Sequence, residues 1–143
     1  MKSKLIILLI ILSVMTGCGN TKKLECSAKV SELNLAVTVE YNGDEIKTVK
    51  RVMSYDASAL TSAGVNEQNR EIFISSMKSE VCAAYSAYNG IKCEVSTPNN
   101  GLNITVDIDY SKLEQGAKDS LDLNYQSYDT LKENLIEQGY TCK

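Results

Sequence analysis

Residues 33–44 read Leu33-Asn34-Leu35-Ala36-Val37-Thr38-Val39-Glu40-Tyr41-Asn42-Gly43-Asp44. Leu33, Leu35, Val37, Val39 and Tyr41 alternate with Asn34, Thr38 and Glu40, the period of a strand with one buried face. Asn42-Gly43 then supplies two residues that tolerate positive φ, the requirement of a tight hairpin turn. This is the clearest strand in the chain, and it fixes an antiparallel sheet as the core of the fold. Upstream, Leu24, Cys26, Ala28 and Val30 alternate in the same way and lead into a turn near Ser31-Glu32. Downstream, Ile46, Val49, Val52 and Met53 do not keep one parity, so the returning strand over 45–55 is expected to carry a bulge.

After a small-residue connection over 56–66, the period becomes helical. Ile74, Met77, Val81, Ala84 and Tyr88 follow steps of three and four, predicting a helix over 66–88 that stops at Gly90. Strands return with Ile91, Cys93 and Val95, and again with Leu102, Ile104, Val106 and Ile108. A two-residue turn at Asn100-Gly101 would pair Cys93 with Ile108 and Val95 with Val106, and would put both apolar sets on one face. Residues 111–126 are polar. A last helix is expected over 128–138, capped by Ser127 or Asp129, with Tyr128, Leu131 and Leu135 as its stripe and Gly139 as its stop. Tyr140-Thr141-Cys142 follows as an extended tail. The order β-β-β-α-β-β-α predicts an α+β two-layer domain: a five-stranded, mainly antiparallel sheet with two helices on one face.

The N-terminus carries a different signal. Lys2 and Lys4 precede an apolar run from Leu5 to Val14, the charged and apolar parts of an export signal, too short to span a bilayer. Met15-Thr16-Gly17-Cys18 follows and resembles the lipobox of bacterial lipoproteins. In those proteins the cysteine sulfur receives a diacylglyceryl group and the chain is cut just before it. Residues 1–17 are therefore expected to be a lipoprotein signal peptide, Cys18 the lipidated residue, 18–23 a tether, and 24–143 a single domain. Cleavage would take the charged residues from 15 basic against 18 acidic to 13 against 18. Such a body is not drawn to anionic membranes, so the lipid would do the holding, at about 0.8 kcal/mol per buried methylene. The expected location is extracytoplasmic, on the outer face of the cytoplasmic membrane of a Gram-positive-type cell.

Five cysteines occur: Cys18, Cys26, Cys82, Cys93 and Cys142. Lipidation of Cys18 leaves an even set of four in an oxidising compartment, where disulfides form. No Cys-x-x-Cys spacing is present, which argues against a zinc knuckle and against a thioredoxin-like redox motif. Cys82 stands about eight residues before the reversal at Gly90, roughly 12 Å along a helix. Cys93 stands about three residues after it, roughly 10 Å along a strand. The two reach similar depth, so Cys82 is expected to pair with Cys93, leaving Cys26 for Cys142.

Together, the lipobox, Leu24-Glu25-Cys26-Ser27, Tyr41-Asn42-Gly43-Asp44, the mid-chain helix, Ile104 to Asp109, and the ending Gly139-Tyr140-Thr141-Cys142-Lys143 resemble the YehR-like bacterial lipoproteins, a family of uncharacterised function. The cysteines make the chain look like a Gram-positive-type branch. The resemblance covers essentially the whole mature chain, implies the same α+β fold, and carries no catalytic residues to transfer.

Composition excludes more than it assigns. There is no His, which removes the usual general base, the commonest transition-metal ligand and every Ser-His or Cys-His pair. A net charge of −3 lacks the basic footprint that nucleic acid needs. Asp107, Asp109 and Ser111 imitate the start of a calcium loop, but Lys112 and Lys118 stand where the loop needs Gly and Glu. The eight tyrosines are read as amphipathic residues at the core edge rather than as a glycan platform. The expectation is a non-enzymatic module that binds an envelope protein or ligand, with no metal and no cofactor. A small envelope hydrolase or thiol-redox enzyme, and a purely structural envelope lipoprotein, are the alternatives.

Overall fold

A computed structural model describes residues 21–121 and 127–143. The signal segment and Cys18 lie outside the described residues. The chain is mixed α+β, with one open antiparallel sheet in the order β4-β5-β3-β2-β1-β6. Its elements are β1 (Thr21–Val30), β2 (Leu33–Asn42), β3 (Glu45–Tyr55), α1 (Ala57–Ser62), α2 (Arg70–Ala83), β4 (Ile91–Ser96), β5 (Leu102–Asp109), α3 (Gln115–Ser120), α4 (Tyr128–Glu137) and β6 (Thr141–Cys142).

β1 and β2 close on a two-residue turn in which Ser31 adopts φ 56°, with Val30 opposite Leu33. β2 and β3 close at Gly43, φ 63°. Glu40 pairs with Thr48 but Tyr41 pairs with Ile46, so Lys47 is the extra residue of a bulge in β3. That insertion explains the broken parity: Ile46 before it and Val49 after it reach the same face. One face of the sheet carries Leu24, Val39, Val49, Ile108 and Ile91 in a single row across five strands. The opposite face is polar, with Lys50, Asp107 and Lys92 aligned across three strands.

The α+β architecture agrees with the reading of the sequence, and four details differ. A sixth strand exists, because Cys26 and Ser27 of β1 pair with Cys142 and Thr141; a two-residue strand has no periodicity to read. β1 begins at Thr21 rather than 24, since Lys22 and Lys23 still find partners in Tyr41 and Glu40, and the segment expected as tether is partly sheet. The mid-chain helix is shorter at both ends. Asn66 and Asn69 exchange side-chain to backbone hydrogen bonds over 66–69, which holds a turn in place of the first helical turn. At the other end the helix stops at Ala83, where the Cys82–Cys93 bridge, with Cα atoms 5.4 Å apart, obliges the chain to reverse toward β4.

The fourth correction is the β4–β5 register. Cys93 faces Val106 and Val95 faces Ile104, a shift of two residues from the expected pairing. Pro98, Asn99 and Asn100 make a longer loop, both asparagines at positive φ, in place of the two-residue turn. A shift of two preserves the face, so the apolar sets still meet the core.

The helices cover the apolar face in two patches. α2 places Phe73, Ile74, Met77 and Val81 against Leu102 and Ile104, together with Leu60 and Val65 from the α1 region. α4 seats Leu135 and Leu131 over the other patch, around Leu24, Cys26, Val39 and Tyr41. Ser127 caps α4 by accepting from the Thr130 N–H, Tyr140 donates back to the Leu135 carbonyl, and Gly139 takes φ 93° to release the chain into β6. Burying side chains such as Leu24, Leu102 and Ile104 contributes about 1.5–3 kcal/mol each.

Candidate functional site

α2 covers the patch around Leu102 and Ile104, α4 covers the patch around Leu24 and Tyr41, and a cavity opens over the middle of the apolar face. Its floor is Leu35, Val37, Arg51 and Met53, all only half-buried although they lie mid-sheet. Tyr85 and Leu131 stand at its sides. The resulting cavity measures about 390 Å³, within the range of about 300–1,000 Å³ typical of small-molecule sites.

Arg51 is the cation in this apolar floor. It stands opposite Val37 on one side and Val106 on the other, between Val49 and Met53 along its own strand. No carboxylate of the described residues forms an ion pair with it. Tyr110, just past β5, lines the same cavity; it is 7% exposed, and its hydroxyl is buried with no hydrogen-bond partner among the described residues. Burial pushes the phenol up from its ordinary range, so Tyr110 is a neutral donor at any physiological pH. The Lys118 ammonium sits 4.6 Å from the centroid of its ring and leaves the hydroxyl unpaired. Gln138 and Tyr140 add polar groups on the α4 side.

A larger hollow of about 610 Å³ lies on the polar face of the sheet. Its charges are mutually satisfied. Lys50 lies 3.8 Å from Asp107 and Lys112 lies 3.0 Å from Asp109, while Thr48 donates to Glu40 at 2.9 Å. Hydrogen bonds from Ser111 and then the Lys112 ammonium hold the Asp109 carboxyl below the usual carboxylate range. Exposed pairs of this kind are worth little in water and offer no unmet group to a ligand. The smaller, apolar cavity is therefore the candidate site.

The sequence-predicted residues fall elsewhere. Cys26–Cys142 and Cys82–Cys93 are disulfides, the first between directly opposed residues of β1 and β6, the second between α2 and β4. Cys18 lies outside the described residues. Among the described residues no group of three or more His, Cys, Asp or Glu could hold a metal ion. Tyr41, fully buried, meets Tyr128 edge-on at 5.7 Å, a packing role. Sequence reasoning missed Arg51 because the irregular parity of β3 hid its face. Once Lys47 is assigned to the bulge, the alternation Val49-x-Arg51-x-Met53 puts a cation on the apolar side.

Two disulfides point to an oxidising, extracytoplasmic environment. No helix among the described residues is long and apolar enough to cross a membrane.

No protein-family profile and no curated protein sequence matches the chain. Solved structures do. The NMR structure of the E. coli YehR protein superposes with a TM-score of 0.66 at 14% identity, covering 87% of this chain and 91% of that one. The NMR structure of a protein from Streptococcus pneumoniae TIGR4 gives a TM-score of 0.56 at 12% identity, covering 89% and 88%. At such identities the likeness concerns the fold alone, and on that ground the chain has a YehR-like fold.

Proposed function

We propose that this protein is a lipid-anchored, non-catalytic binding module of the cell envelope, held to the outer face of the membrane through Cys18. The observation that carries the binding half is the cavity over the middle of the sheet, where an apolar floor holds Arg51 with no carboxylate of the described residues paired to it. The lining supplies no carboxylate, thiol or serine to act as acid, base or nucleophile. The anchoring half rests on the run Leu5 to Val14 followed by Thr16-Gly17-Cys18.

Detergent partitioning of the wild type and of Cys18→Ser tests the anchor. The wild type should enter the detergent phase and the variant the aqueous phase; equal aqueous partitioning of both refutes it. A photoreactive residue placed at the exposed Gln138 tests binding in living cells. One dominant adduct is expected, and a diffuse set of neighbours overturns the reading.

A further inference from the structure

We infer that the cavity over the middle of the sheet, flanked by Tyr85 and α4, is a site for a single-chain aliphatic carboxylate, with the Arg51 guanidinium holding the head group. This deepens the binding function proposed above and rests on it. Charge complementarity makes the first argument. The half-buried Arg51 lines an apolar floor with no carboxylate of the described residues paired to it, and so offers an uncompensated cation to an anionic occupant. A carboxylate meets its fork of N–H donors in a planar, two-point geometry that water or a neutral group cannot reproduce. Tyr110 lines the same cavity, with its own hydroxyl buried out of reach of solvent.

The second argument concerns the rest of the occupant. The floor lies mid-sheet, where strands β2, β3 and β5 already pair with one another. A peptide laid there would bring amides into an apolar slot with no ladder left to bond them. An acyl chain brings no polar atom beyond its head group. The volume, about 390 Å³, stands near the low end for small-molecule sites and suits one chain rather than two. Leu35, Val37, Met53 and Leu131 offer that chain its contacts.

The test uses the intact protein in phosphatidylcholine nanodiscs, with empty nanodiscs as reference, and follows the carboxyl resonance of carbon-13-labelled dodecanoate. The wild type should show saturable binding. Arg51→Met should raise Kd about tenfold to a hundredfold, the range of a charge-assisted hydrogen-bond pair, while the melting temperature is kept. Dodecanol, which keeps the chain and lacks the charge, should compete more weakly by a similar factor. Leu35→Trp should block binding with Arg51 still in place, which separates chain occupancy from head-group attraction. Absence of saturable binding above the empty discs, or binding indifferent to both substitutions, overturns the inference. Displacement of dodecanoate at equal concentration by an apolar peptide with a free C-terminal carboxylate overturns the acyl assignment. A dominant adduct at Gln138 without dodecanoate binding would sink this inference and leave the binding module standing; failure of both would sink the two together.

Discussion

Replacing Cys26 and Cys142 together by alanine should destabilise the domain more than replacing Cys82 and Cys93. The two bridges close very different loops, with sequence separations of 116 and 11. On the chain-entropy description, closure of the longer loop contributes about 5 kcal/mol and closure of the shorter about 3 kcal/mol, both upper estimates. The native side of the balance points the same way. The long bridge holds a strand of two residues, which has little else to fix it apart from the Lys143 N–H donating to the Glu25 carbonyl and the return of Tyr140 to Leu135. Against a typical total of about 5–15 kcal/mol, its loss should remove a third or more of the stability. Urea titration of both double variants, followed by circular dichroism and extrapolated at constant slope, measures the difference. An equal or larger loss for the Cys82/Cys93 pair would refute the reasoning. It would show that the helix-to-strand bridge does more in the native state than loop length allows.

The other predictions are local. Gly101→Ala should destabilise by about 1–3 kcal/mol, because a Cβ there would lie 2.5 Å from the Tyr55 carbonyl oxygen; an unchanged thermal midpoint would show that the 97–101 loop yields freely. Asp56 caps α1, and hydrogen bonds from the Ala59 N–H and then the Ser58 hydroxyl hold its carboxyl below the ordinary range. A depressed folded pKa gives stability that is present above the unfolded value of about 3.9 and is lost as pH falls through the folded value. Thermal melts from pH 6 downward should therefore fall off less steeply for Asp56→Asn than for the wild type, and parallel curves would discount the cap.

The layout of the sheet was legible because parity is a strong signal. Leu33 to Tyr41 and Leu102 to Ile108 each kept one apolar face over their whole length, and the structure gives both as strands of one sheet. Length and register were less legible, because they depend on backbone choices that side-chain pattern does not report. Asn100-Gly101 has the chemistry of a tight turn, yet Pro98 and two asparagines at positive φ spread the reversal over more residues. Ala84 and Tyr88 continued the helical spacing past Ala83, although the helix ends there and the chain goes on in turns. α3 escaped notice because its six residues, Gln115 to Ser120, carry little apolar pattern. The candidate site was the least legible part. It is lined by β2, β3, β5, Tyr85, Tyr110 and α4, a property of how separate elements come together and of no single stretch, and Arg51 became informative only after the bulge at Lys47 was placed.

The shortness of β6 bears on colloidal behaviour. It shields β1 only at Cys26 and Ser27, while Ala28, Lys29 and Val30 have β2 on one side and no strand on the other among the described residues. Val30 is 59% exposed there. The far margin, β4, is interrupted by Lys92 and Glu94, charges that resist the approach of a second sheet. β1 has Lys22, Lys23 and Lys29 for the same purpose, but it is the longer margin, and its middle is guarded by a covalent link. Reduction of Cys26–Cys142 would free the tail and open a ten-residue strand to edge-to-edge stacking. In a reducing solution, turbidity should therefore rise before the sheet signal is lost.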